Sequence, residues 1–172
     1  MLGLLVNMAL LILWALLLYL FKRKLTIILI GIATGISPVS LLSILAESIL
    51  LQTPLTIQVT IVAPIVEESL KFLFILLVAW KSSTILSQVR IFGAAVGVGF
   101  AYFENLGAVT NVTNVLLRSI SSWPVHVITA LVLTYSVQNS LTTKRNTAWA
   151  VAYFLTALII HSGFNYALLL WI

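Results

Sequence analysis

Six apolar runs take up most of the chain, and each is long enough to cross a lipid bilayer as a helix. They lie at residues 2–21, 25–51, 55–80, 91–111, 124–141 and 147–172. Because the bilayer core offers no hydrogen-bond partners, a segment that crosses it must satisfy its own backbone groups, as a helix does. With 62% hydrophobic residues and a mean hydropathy of +1.18, the sequence predicts an all-α, polytopic membrane protein. We expect one transmembrane domain, residues 1–172, whose six helices enclose a polar site.

The basic residues stand near the ends of these runs and predict the orientation of the chain. Seven lie on one side of the predicted bilayer: Lys22, Arg23, Lys24, Lys81, Arg90, Lys144 and Arg145. Arg118 alone lies on the other side. Basic loops stay in the cytoplasm, so we expect a multi-pass protein of the cell membrane with both termini outside. The net charge of +5 is thus explained by topology, without a nucleic-acid partner.

Three ionisable residues interrupt the third run, where they are energetically costly. Glu67, Glu68 and Lys71 fall within five positions of one another. A charge at the bilayer centre costs about 2.5–3.5 kcal/mol on insertion scales, so such residues usually mark a functional site. On a helix, Lys71 lies one turn after both glutamates and can pair with either. The alternative is an ion pair whose only role is to fix helix packing.

Four ionisable side chains from four different runs are predicted to lie at one height in the membrane. Glu67 and Glu104 are each 14 residues from a cytoplasmic basic residue, His161 is 16 and His126 is 18. At about 1.5 Å per residue, all four lie about 21–27 Å above the cytoplasmic markers, in the outer half of the membrane. Two carboxylates and two imidazoles suit zinc, and the absence of cysteine excludes a thiolate site.

His161 and Asn165 lie one helical turn apart, so an imidazole and a carboxamide share one face. The amide can donate to a developing oxyanion. Two histidines and a glutamate to hold a metal, a second glutamate to accept a proton from water, and an amide donor form the set of a metallohydrolase.

Four ordered motifs between about Ala63 and Asn165 carry these residues. They are V-E-E-S-L-K, G-F-A-Y-F-E-N, the stretch from Arg118 through His126 to Thr129, and H-S-G-F-N. In this order they resemble the PrsW family of intramembrane proteases, relatives of the CAAX-protease and bacteriocin-processing group.

The resemblance implies that Glu67 and Glu68 are the glutamate pair essential for proteolysis, with Glu104, His126 and His161 as the other polar active-site positions. It implies site-1 cleavage, on the outer side, of a single-pass membrane protein such as an anti-sigma factor. The chain departs from the family pattern at Thr134, where a glycine is expected. That departure concerns helix packing more than chemistry.

We therefore expect an intramembrane protease in which Glu67 is the general base and Glu68 hydrogen bonds within the site or pairs with Lys71. The predicted zinc ligands are Glu104, His126 and His161. Asn165 is predicted to stabilise the oxyanion, and Lys71, Asn105 and Arg118 to support the site.

Other schemes use the same residues. CAAX-type relatives imply a glutamate-activated reaction without a metal. An ion-coupled transporter would relay charge through the buried Glu, Lys and His residues, and a scaffold or immunity protein would need no chemistry.

Three further expectations concern the helices themselves. Pro124 suits the first turn of the fifth helix. Pro38 and Pro64 mark kinks where a lateral gate could open. Glu47 is expected at the outer interface, paired with Arg118.

Overall fold

A computed structural model describes residues 1–22, 24–49, 54–81, 86–107, 112–142 and 147–170. Nearly all of these residues are helical, and they contain no strand. The helices join into six long rods, because two of the rods continue through short π-helical segments. The prediction of an all-α, polytopic membrane fold is confirmed.

The first two rods are α1 (Leu2–Lys22) and a rod made of α2 (Leu25–Thr34), a first π-helical segment (Gly35–Val39) and α3 (Ser40–Ile49). The third rod consists of α4 (Leu55–Ile57), a second π-helical segment (Gln58–Val62) and α5 (Ala63–Lys81). The remaining rods are α6 (Leu86–Leu106), α7 (Val112–Thr142) and α8 (Thr147–Leu169).

Four of the rods are long and apolar enough to cross a membrane by length and composition: Leu2–Leu20, Leu25–Ile49, Leu116–Leu141 and Thr147–Leu169. Helices α5 and α6 fall outside this set. They carry Glu67, Glu68, Lys71 and Glu104, and these charges lower the hydropathy of both helices.

The fifth rod begins earlier than predicted. Helix α7 starts at Val112, so Pro124 lies inside the helix and not in its first turn. An interior proline removes one backbone hydrogen bond, but neighbouring helices and polar side chains make such prolines tolerable in membrane helices. Because the stretch that contains Arg118 is helical, Arg118 belongs to α7 and not to a loop.

Helix α6 is the centre of the bundle and packs against α1, α2, α5 and α7. All of its residues from 91 to 101 are buried, as expected for a helix that is apolar on every side. Its glycines allow the neighbouring backbones to approach. A Cβ atom at Gly99 would lie 2.1 Å from the carbonyl oxygen of Ile32, and one at Gly97 would lie 2.5 Å from that of His126. The glycines thus set the spacing between α6, α2 and α7.

Thr134 also packs against α6. A Cβ atom at Gly93 would lie 2.2 Å from Cγ2 of Thr134, so the missing side chain of Gly93 makes room for the threonine. Thr134 donates its hydroxyl to the carbonyl of Leu131 at 2.6 Å. The departure from the family pattern is therefore accommodated by a glycine on the facing helix.

Substituting Gly99 by alanine should destabilise the fold, because α2 must move away from the new methyl group; overpacking of this kind costs about 1–3 kcal/mol. The matched control is Gly163→Ala, since nothing lies within 4 Å of a Cβ atom there. Thermal unfolding of the purified proteins in detergent measures both. Equal unfolding midpoints for the two variants would contradict the packing described here.

Candidate active site and metal centre

Four ionisable side chains meet in the interior of the bundle. Glu67 and Glu68 come from α5, His126 from α7 and His161 from α8, and one potential ligand atom from each lies within 4.8 Å of the other three. Glu68, His126 and His161 are at most 1% exposed, and Glu67 is 8% exposed. The folding of three helices thus concentrates two carboxylates and two imidazoles in a space that excludes lipid and bulk water.

Lys71 provides the positive charge for this group. Its ammonium lies 2.7 Å from Oε1 of Glu68, 3.9 Å from Oε2 of Glu67 and 3.0 Å from Nδ1 of His126. It also lies 4.2 Å from the centre of the Phe100 ring, within the range of a cation–π contact. Because Lys71 is fully buried, its charge is balanced by these neighbours and not by water.

His126 connects this group to a second carboxylate. Its Nε2 lies 2.6 Å from Oε2 of Glu104. A carboxylate only accepts hydrogen bonds, so Nε2 carries the hydrogen and donates it to Glu104. The other nitrogen, Nδ1, then presents a lone pair toward Lys71 and the interior of the site.

His161 is held in a similar way. Its Nδ1 lies 2.7 Å from Oε1 of Glu68 and donates to it. Its Nε2 lies 3.7 Å from Oε2 of Glu67 and presents a lone pair on that side. Each histidine therefore has one nitrogen fixed by a carboxylate, as metal-binding histidines do. The other nitrogen faces the site with a lone pair, which in His126 accepts a hydrogen bond from Lys71.

Glu104 lies behind His126 and is not a member of the four-residue group. It accepts hydrogen bonds from Arg118, from Ser122 at 3.1 Å and from His126. Arg118 also donates from Nε to the side-chain oxygen of Asn105 at 3.1 Å. Residues Glu104, Asn105 and Arg118 thus form a polar network next to the four-residue group. Arg118 pairs with Glu104 here, whereas the sequence suggested Glu47 as its partner.

The amide of Asn165 contacts the backbone. Its Nδ2 donates to the carbonyl oxygen of Val59 at 3.0 Å, in the second π-helical segment. The structure thus gives this predicted oxyanion donor an acceptor on the rod that carries the glutamate pair.

Two hydroxyl residues join the site without having been given a role from the sequence. Thr129 donates to Oε1 of Glu68 at 3.2 Å, and Ser122 donates to Glu104. Ser122 and Thr129 lie four residues before and three residues after His126, so the helical face of His126 is the signal that could have identified them.

The side chains present fit a divalent metal. Among the described residues, Oε2 of Glu67 and Oε2 of Glu68 are buried without a hydrogen-bond partner. A buried polar atom without a partner is costly. These two oxygens and the two imidazole nitrogens that face the site are the donor types that zinc accepts. The group can therefore hold a metal ion.

Comparison with known proteins identifies the family of the chain. Residues 9–172 match the model of the PrsW family intramembrane metalloproteases. No curated protein and no solved structure matches the chain significantly. The match covers nearly the whole chain, so the protein is a multi-pass membrane protein that acts on membrane-protein substrates. The chain belongs to the PrsW family of intramembrane metalloproteases.

Proposed function

We propose that this protein is a zinc-dependent protease that hydrolyses peptide bonds of single-pass membrane proteins, such as anti-sigma factors, in the outer half of the bilayer. The observation that carries the proposal is the buried group of Glu67, Glu68, His126 and His161 around Lys71. An ion pair that only held helices together would not need two further imidazoles, each fixed by a carboxylate.

Glu67 is the general base. Its Oε2 has no hydrogen-bond partner among the described residues, and it is the more exposed glutamate of the pair. Oε1 of Glu68, in contrast, already accepts hydrogen bonds from Lys71, His161 and Thr129. Glu67 accepts a proton from the attacking water, whose oxygen bonds to the carbonyl carbon of the substrate. As the carbon–nitrogen bond breaks, Glu67 returns the proton to the amine nitrogen.

His126, His161 and Glu68 are the residues that would hold the zinc ion. Nδ1 of His126, Nε2 of His161 and Oε2 of Glu68 are the atoms that would take this role, and Lys71 would then give up its hydrogen bond to Nδ1 of His126. Three protein ligands are typical of catalytic zinc sites. The ion, when bound, supplies Lewis acidity toward the carbonyl group of the substrate.

Glu104 positions His126 and does not bind the metal in this proposal, which revises the ligand set expected from the sequence. By accepting the hydrogen on Nε2 it keeps Nδ1 directed at the site. Lys71 lies within ion-pair distance of both glutamates, and its single positive charge keeps at least one of them ionised in a bundle surrounded by lipid.

The proposed orientation follows from the basic residues, with both termini outside. In that orientation the helical rise places the glutamate pair about 21 Å above the cytoplasmic markers. A site at this height would cleave a peptide bond of the substrate near the outer surface of the membrane.

Glu67→Gln should abolish cleavage but retain zinc, because the base is lost while the three ligands remain. The test co-expresses the chain with candidate single-pass proteins, follows the cleavage product, and measures zinc in the purified protein. Glu47→Gln, on α3 and outside the four-residue group, is the matched control and should cleave normally. Unchanged cleavage by Glu67→Gln would rule out its role as base. Cleavage by wild-type protein that contains no zinc and resists chelators would instead support the metal-free glutamate scheme.

Glu104→Gln should weaken zinc binding by about 10- to 100-fold, the usual effect of removing a carboxylate that orients a metal-binding histidine. Zinc competition with a chelating dye measures the affinity. Zinc binding would be abolished if Glu104 were itself a ligand. It would be unchanged if Glu104 had no part in the site.

The orientation can be tested by labelling, since the chain contains no cysteine. Gly107→Cys, between α6 and α7, should react with a membrane-impermeant maleimide added outside intact cells. Leu141→Cys, at the other end of α7, should react only after the membrane is opened. The opposite pattern would place the termini in the cytoplasm.

A further inference from the structure

The third rod breaks its regular hydrogen bonding just before the glutamate pair. In the second π-helical segment, the N–H of Ala63 bonds to the carbonyl of Gln58, five residues earlier. Continuing this spacing, the carbonyl of Val59 would accept from residue 64. That residue is Pro64, which has no N–H. In this π-helical spacing, Pro64 cannot supply the N–H that the Val59 carbonyl would accept.

Asn165 fills this position from another helix. Its amide Nδ2 lies 3.0 Å from the Val59 oxygen. One turn earlier on α8, His161 bonds to Glu68. Helix α8 thus contacts the third rod at Val59 and at Glu68, which lie on either side of Pro64.

We infer that Asn165 is a positioning residue: its amide replaces the missing N–H of Pro64, and together with His161 it holds the break in the third rod at a fixed geometry. The three residues from Pro64 to Glu67 amount to less than one helical turn. Any change at the break therefore rotates or displaces the glutamates relative to His126 and His161. This assignment replaces the oxyanion role expected from the sequence.

A double-mutant cycle tests the inference, because Pro64→Ala restores a backbone N–H that can bond to Val59. The four proteins are the wild type, Asn165→Leu, Pro64→Ala and the double variant, each as the full chain in detergent. In the wild-type background, Asn165→Leu should lower the unfolding midpoint by about 2–4 °C, the shift expected for one hydrogen bond in a chain of this size. In the Pro64→Ala background the same substitution should lower it by less than half as much.

The control is Asn139→Leu on α7, whose amide donates to the carbonyl of Tyr135 within its own helix. Its effect should be the same with and without Pro64→Ala. If Asn165→Leu does not fold, Asn165→Ala takes its place in the cycle. Equal midpoint losses for the Asn165 variant in both backgrounds would overturn the inference.

Zinc affinity, measured on the same four proteins, reports the positioning itself. Asn165→Leu should weaken zinc binding several-fold, and Pro64→Ala should restore most of the loss. This second measurement rests on the proposed zinc site, whereas the unfolding cycle does not. Wild-type protein that binds no zinc would refute the zinc site. The role of Asn165 would then be decided by the unfolding cycle alone. Loss of zinc binding to the same extent in both backgrounds would contradict positioning through Val59.

Discussion

The placement of one buried ammonium governs the site. Lys71 is fully buried and lies within 3.9 Å of both glutamates. Removing two carboxylates from water is costly unless an opposite charge and hydrogen bonds compensate. The helical spacing of Lys71 provides that charge locally, before any other helix has packed. His161 and Thr129 then add hydrogen bonds to Glu68, and both residues belong to other helices.

Helices can bring these partners together because small residues line their contacts. Gly97 faces the backbone of His126, and Gly99 faces that of Ile32. Without an apolar driving force between helices in lipid, close backbone approach supplies the attraction. The same contacts fix where His126 stands relative to α6. Packing and site geometry are therefore set by the same residues, and a change in one alters the other.

The two π-helical segments accompany two of the prolines that the sequence marked as kinks. Pro38 lies inside the first segment, and Pro64 is the second residue after the other. In both places a side chain binds a carbonyl of the segment: Ser40 donates to Gly35 at 2.6 Å, and Asn165 donates to Val59. In the first segment the hydrogen-bond donor belongs to the same rod, whereas in the second it belongs to another helix. The break nearest the glutamates therefore depends on tertiary packing.

The sequence by itself determined the helical, membrane-spanning class, the pairing of Lys71 with the glutamates, and the residue types available for chemistry. Apolar length and helical spacing are local properties, so they can be read without a fold. The tertiary structure decided which partner each polar atom has. Glu104 bonds to the nitrogen of His126 that faces away from the four-residue group. Asn165 donates to the Val59 carbonyl on a different rod. The part of α7 before Pro124 likewise contributes Arg118 and Ser122, whose bonds to Glu104 appear only once α6 and α7 pack together. Helix rotation and contact distance are set by packing between segments far apart in sequence.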